Sequence, residues 1–157
     1  MRFKIKEILV VICLVVFIVF LNLQTSYVDV SVDTIMEAIC GVANLEEMEE
    51  YSPIEIKEKF GININEHRGV AYFGYTSVMD CDTLLVVCLQ DEAQGKVIID
   101  TINEERDELM KLFQSYAPEQ YELLRSSVLI QKDRYLLYVV SPDAKAIEAA
   151  FVDCITE

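Results

Sequence analysis

Thr83-Leu84-Leu85-Val86-Val87-Cys88-Leu89 is apolar at almost every position and carries no charge. So short and continuous a run reads as a strand buried at the centre of a sheet. Just upstream, Val70 to Tyr75 is aromatic and suited to a strand. Ser77-Val78-Met79-Asp80-Cys81-Asp82 between the two has turn composition, so they are expected to lie side by side. Downstream, Val128 to Ile130 and Tyr135 to Val140 form a second pair. Gln131-Lys132-Asp133-Arg134 between them is a hairpin connection by composition.

Helical signals surround these pairs. Ser31 is placed to cap a helix carrying Val32, Ile35, Met36 and Ile39 at helical spacing, which Gly41 can end in left-handed geometry. Leu45 to Glu50 is acidic and expected as a loop. Ser52-Pro53-Ile54-Glu55 has the cap, the proline at the first position and the glutamate at the third that make a capping box. Gly61 closes that short helix. Asp91 with Gln94 caps a long helix to about Tyr116. Ile98, Ile102, Leu109, Phe113 and Tyr116 run along one side of it, with Asp107 and Lys111 as an i,i+4 pair on another. Pro118 starts a shorter helix with Tyr121 and Leu124 facing inward. Ser141-Pro142-Asp143 starts a last one with Ile147, Phe151, Cys154 and Ile155 on one stripe. The order ααββα(α)ββα predicts an α+β domain with an antiparallel four-stranded sheet and helices packed mainly on one face.

The chain begins differently. Arg2, Lys4 and Lys6 precede an apolar run from Ile8 to Leu21 that Leu23 extends. A membrane-spanning helix needs about 20 residues, which Phe3 and Ile5 help to supply. Residues 22–27 hold no pair of small residues suited to signal cleavage, and Cys13 lies mid-run rather than at a lipidation site. The expectation is an uncleaved single-pass anchor over 8–23, behind a cytoplasmic basic flank 1–7. A short tether 24–30 then leads to an extracytoplasmic domain 31–157. Cleavage and secretion is the alternative.

Composition narrows the function. Outside the opening segment 10 basic and 26 acidic residues remain, a net charge of −16. Such a surface repels phosphate backbones, so nucleic acid is not an expected partner. Cys40, Cys81, Cys88 and Cys154 show no C-x-x-C pair, and His67 is the single histidine, so no zinc site is expected. Cys40, Cys88 and Cys154 fall on expected core faces, where a free thiol serves as a small hydrophobe, so free thiols are expected. Two disulfides among Cys40, Cys81, Cys88 and Cys154, by one of three connectivities, are the alternative.

Several phrases, in order along the chain, resemble one family. They are Lys59-Phe60-Gly61-Ile62, Met79-Asp80, Tyr116-Ala117-Pro118-Glu119-Gln120-Tyr121-Glu122-Leu123, Val128-Leu129-Ile130, Tyr135, Ser141-Pro142 and Phe151. Together they look like the domain-of-unknown-function family numbered 4358, over about Ser31 to Phe151. The resemblance implies an N-terminal anchor, by a span or a lipid, in Gram-positive anaerobes. It supplies no activity and no catalytic residue. Thr83 and Cys88 stand where that family tends to have Glu and Lys, and Asp133 where it usually has Gly.

No G-x-S-x-G, P-loop or G-x-G-x-x-G is present. His67, in a polar link, reads as a solvated loop residue, and Asp80 with Asp82 as a polar turn rather than a cation site. No cofactor, metal or catalytic residue is assigned. Two places are candidate surface contacts. One is the basic tip Lys132-Asp133-Arg134. The other is the aromatic pair Tyr72 and Tyr75, which alternation sends to opposite faces. The expected function is a non-catalytic binding or interaction module at the cell surface, for a protein, peptide or cell-wall ligand. An accessory subunit of a membrane complex is the alternative, and an enzyme of unfamiliar type the least favoured.

Overall fold

A computed structural model describes residues 12–13, 26–43, 45, 48–75, 77 and 79–156. The expected anchor at 8–23 lies outside these apart from Ile12 and Cys13. Among the described residues no helix is long and apolar enough to cross a membrane.

Among residues 26–156, in chain order, the helices described are α1 (Val32–Cys40), α2 (Pro53–Phe60), α3 (Gly95–Phe113), α4 (Pro118–Arg125) and α5 (Ala144–Ile155). The strands are β1 (Glu49–Glu50), β2 (Gly69–Gly74), β3 (Thr83–Cys88), β4 (Val128–Lys132) and β5 (Tyr135–Val140). All pairings are antiparallel, and the strands form one five-stranded sheet in the order β1-β2-β3-β5-β4. The expected count of four lacked β1. Glu49 and Glu50 are exposed edge residues whose pairing with Gly74 and Phe73 is a backbone matter that their side chains do not announce.

Helices cover both faces, not mainly one. Leu85, Val87, Leu136 and Tyr138 pack with Ile56, Phe60, Ile98, Ile102 and Leu124 of α2, α3 and α4. Leu84, Val86, Leu137 and Val139 pack on the opposite side with Ile35, Ile39, Ile147, Phe151 and Ile155 of α1 and α5. Successive strand side chains point to opposite faces, so a strand buried at every position requires a cover on each. Every residue of β3 and of β5 is buried. The product is a three-layer α+β sandwich around an antiparallel sheet.

The local signals act largely as expected. Ser31 accepts from the Thr34 amide, Ser52 and Glu55 form the capping box, and Gly61 ends α2 at φ 68° in left-handed geometry. Gly41 differs: it stays in right-handed geometry at φ −71°. Asp91 and Gln94 do form a capping box, on a short 3-10 turn (Glu92–Gln94) that leads into α3. That helix stops at Phe113, leaving Tyr116 exposed beyond it. Its i,i+4 ion pair is Lys96 to Asp100 at 3.1 Å, rather than Asp107 to Lys111.

The free thiols are distributed differently from the expectation. Cys88 is buried, but Cys40 is exposed at the end of α1 and Cys154 is half-buried. Cys81 is buried instead, its thiol 2.9 Å from Gln120 Oε1.

Candidate functional site

The sheet has two ends with different chemistry. At one end lie Gly69, Cys88 and Tyr135, which face one another across β2, β3 and β5. The segment leading into α1 is bound there. Val28 donates to the Ile155 carbonyl at 2.9 Å, and Tyr27 bridges to Thr156. The Tyr135 hydroxyl accepts from the Val30 amide at 3.0 Å and donates to the Val28 carbonyl at 3.1 Å. Arg68 pairs with Asp29, and its guanidinium holds the Asp29 carboxyl below its ordinary value. Residues 27–30, expected as a free tether, are therefore part of the fold. We call this end proximal, because residues 27–30 are bound there.

The basic hairpin tip is also proximal. Asp133 takes the left-handed conformation at φ 51°, which a short polar side chain tolerates. It pairs with Arg134 at 3.5 Å, while Lys132 is exposed. Asp133 thus answers one of the two positive charges of the tip. His67 lies here too, next to Arg68, whose amide donates to the Cys88 carbonyl at 2.7 Å. Burial pushes the imidazole pKa down, and Nδ1 is buried without a hydrogen-bond partner.

Tyr72 does not serve as a surface contact. Its ring is 1% exposed, 4.6 Å from Tyr51 and edge-on to Phe60 at 5.1 Å. Lys59 closes this aromatic cluster, its amine 5.5 Å from the Tyr72 ring centroid and 3.9 Å from Glu105. Burial works against the charge of Lys59, but Tyr72, Glu105 and Tyr51 outweigh it, and its pKa sits above the ordinary lysine value. Burial likewise raises Glu105, with Lys59 opposing. These groups stabilise a packed ring cluster.

At the other end, Gly74, Thr83 and Val140 are register partners. There the turns before β3 and after β5, with the segment after α1, enclose a cleft of about 250 Å³. Leu84, Val139 and Ile147, all buried, form its apolar floor. Ala43, Leu45 and Met48 form one wall, and Tyr75 contributes from the end of β2. The polar lining is Asp82, Ser141 and Asp143. The Ser141 hydroxyl accepts from the Asp143 amide at 3.1 Å, which fixes that turn. Burial, then the neighbouring Asp80, pushes the Asp82 carboxyl pKa up. Of the sequence candidates, only Tyr75 reaches this cleft. Asp82, Ser141 and Asp143 carry turn and helix-start signals in the sequence. The available signal was that both turns fall at the same end of the sheet.

A larger groove of about 640 Å³ runs along the outside of α2 between Ile54 and Asn63. Its amides are already engaged, Asn63 with Glu66 at 2.8 Å and with the Asn65 amide at 3.2 Å. The smaller cleft is better formed, because it is floored by the sheet itself. Among the described residues no group of three or more His, Cys, Asp or Glu side chains could hold a metal ion.

The class this architecture defines is a three-layer α+β domain with a cleft at one end of its antiparallel sheet. The family described as Domain of unknown function (DUF4358) matches residues 42–141, and the chain belongs to it. The match begins after α1 and ends before α5, so the two helices that cover one sheet face lie outside it. Comparison with curated proteins and with solved structures gave no match.

Proposed function

We propose that the chain is a single-pass, membrane-anchored binding module that holds its acidic domain outside the cell and displays the cleft away from the membrane. One relationship carries this reading: the N-terminal segment is clasped at the Tyr135 end of the sheet and the cleft lies at the other. Six strand residues at about 3.3 Å each separate the ends by roughly 20 Å. The apolar run supplies the membrane span, and the bound segment 27–30 leaves only a few residues between span and domain. The domain then stands on the membrane with little freedom to turn over.

Binding is favoured over catalysis by where the titratable groups lie. The single imidazole is proximal and the cleft distal, so no histidine base serves it. Alkaline carbonate washing of membranes, followed by analysis of the mature N-terminus, tests the anchorage. The chain should stay in the pellet with its basic flank intact. Release into the wash with a new N-terminus near Gln24 to Tyr27 would contradict it. Replacing Ile8 to Leu23 with an unrelated span should leave ligand binding unchanged. Its loss would favour an accessory subunit that assembles through the span.

A further inference from the structure

We infer that the distal cleft receives a lysine side chain of a partner polypeptide. The inference rests on the proposed binding role and names its ligand. Size comes first. At about 250 Å³ the cleft is smaller than the roughly 300–1,000 Å³ of sites that enclose a drug-sized molecule. One long side chain suits it better than a whole small molecule.

The lining then selects the side chain. Leu84, Val139 and Ile147 make a floor on which an aliphatic stem can lie with its charged head reaching the rim. At the rim stand two carboxylates, Asp82 and Asp143, and neither forms an ion pair with another described residue. Among the described residues no Lys, Arg or His lines the cleft to answer them. Asp82 is half-buried beside Asp80, so its charge lacks both full hydration and a counter-ion. An incoming ammonium supplies the missing partner. Ser141 adds a hydroxyl acceptor, so the acceptors come from two separate turns. That spread matches the three diverging donors of an ammonium better than the planar fork of a guanidinium, which favours one carboxylate taken bidentately. The chain's net charge of −14 draws a cationic segment toward it.

The test uses the full chain in zwitterionic nanodiscs and three blocked tripeptides, Ala-Lys-Ala, Ala-Arg-Ala and Ala-norleucine-Ala. Amide NMR shifts are followed as each is added. The lysine peptide should give saturable shifts around Ala43, Asp82 and Ser141. The norleucine peptide should bind about tenfold more weakly or worse, as expected for loss of a charge-assisted contact. Asp82→Asn with Asp143→Asn should remove the difference between the two peptides. Met48→Trp, which fills the cleft and keeps both carboxylates, should abolish binding and covers the case of a double variant that does not fold. Equal binding of norleucine and lysine overturns the proposal. So do shifts spread over the whole acidic surface, or no shifts at all. An arginine peptide that binds as well as lysine overturns the choice of side chain. Carbonate extraction of the same chain separates the two readings. A chain washed off the membrane that still binds lysine loses the anchor and keeps the cleft, whereas an anchored chain that ignores lysine does the reverse.

Discussion

The hydroxyl of Tyr135 lies 3.0 Å from the Val30 amide and 3.1 Å from the Val28 carbonyl, so one side chain at the start of β5 clasps the segment that leads to the N-terminus. Tyr135→Phe keeps the buried ring and removes both bonds. It should cost about 1–2 kcal/mol of stability, the usual worth of one or two such hydrogen bonds. Hydrogen exchange at residues 27–30 should rise more than exchange in β3. Unchanged protection of 27–30 would show that the clasp lies elsewhere.

Gly95 and Gln131 give a prediction whose sign depends on background. A Cβ at Gly95 would overlap Gln131 Oε1, while Gln131 Nε2 donates to the carbonyls of Glu92 at 2.9 Å and Asp133 at 3.0 Å. Alanine in a helix is otherwise worth about 0.5–1 kcal/mol over glycine. Gly95→Ala should therefore destabilise the native chain by about 1 kcal/mol, as the displaced amide gives up bonds worth more than the helix gains. In a Gln131→Ala background the same change should stabilise. Urea unfolding of the four chains measures both signs, and stabilisation in both backgrounds would contradict the packing described.

Much of the fold could be read from composition and spacing, and the failures have physical causes. Ser52-Pro53-Ile54-Glu55 and Gly61 fixed α2 because caps act through neighbours in sequence. The second helical layer was missed although its signal was present. Leu84 to Val87 and Leu136 to Val139 are apolar on both sides of the pleat, a pattern that a sheet covered on one face does not need. Glu49 and Glu50 join the sheet through backbone bonds, with no side-chain alternation to betray them. The cleft leaves only a faint signal in the sequence, for a different reason. Asp82 and Ser141, from two turns, and Met48, from the segment before β1, are distant in sequence and come together only through the sheet order. Tyr72 was correctly sent to one face by alternation, but the face proved to be a closed core.

The raised pKa of Asp82 has a definite pH signature. An acid whose folded pKa is raised holds its proton more tightly when folded. Its contribution to stability is greatest below its ordinary 3.8 and falls as pH rises through the window above that value. Asp82→Asn removes the decline. Unfolding measurements from about pH 3 to pH 7 should show the variant gaining on the native chain as pH rises. A gain that is flat or shrinking with pH would contradict the burial of this carboxyl.

The thiols should react in two groups. Burial pushes Cys81 up to about 12 and Cys88 up to about 11, and both are under a tenth exposed. Thiolate is the reactive form, so neither should alkylate in the native chain near neutral pH. Cys40 is exposed and should alkylate readily. Mass mapping after iodoacetamide treatment, with and without denaturant, separates the groups. Native modification of Cys81 would contradict its packing against Gln120.

Whether the domain stands on the membrane by its Tyr135 end and turns the Asp82–Asp143 cleft outward is read most directly by paramagnetic relaxation. The full chain is placed in nanodiscs bearing gadolinium-tagged lipid headgroups, and broadening is compared at amides of the two ends. The amides of Arg68 and Tyr135 should broaden strongly, and those of Asp82 and Ser141, roughly 20 Å farther along the strands, much less. Equal broadening at both ends, or none at either, would contradict a domain held at the membrane in this orientation.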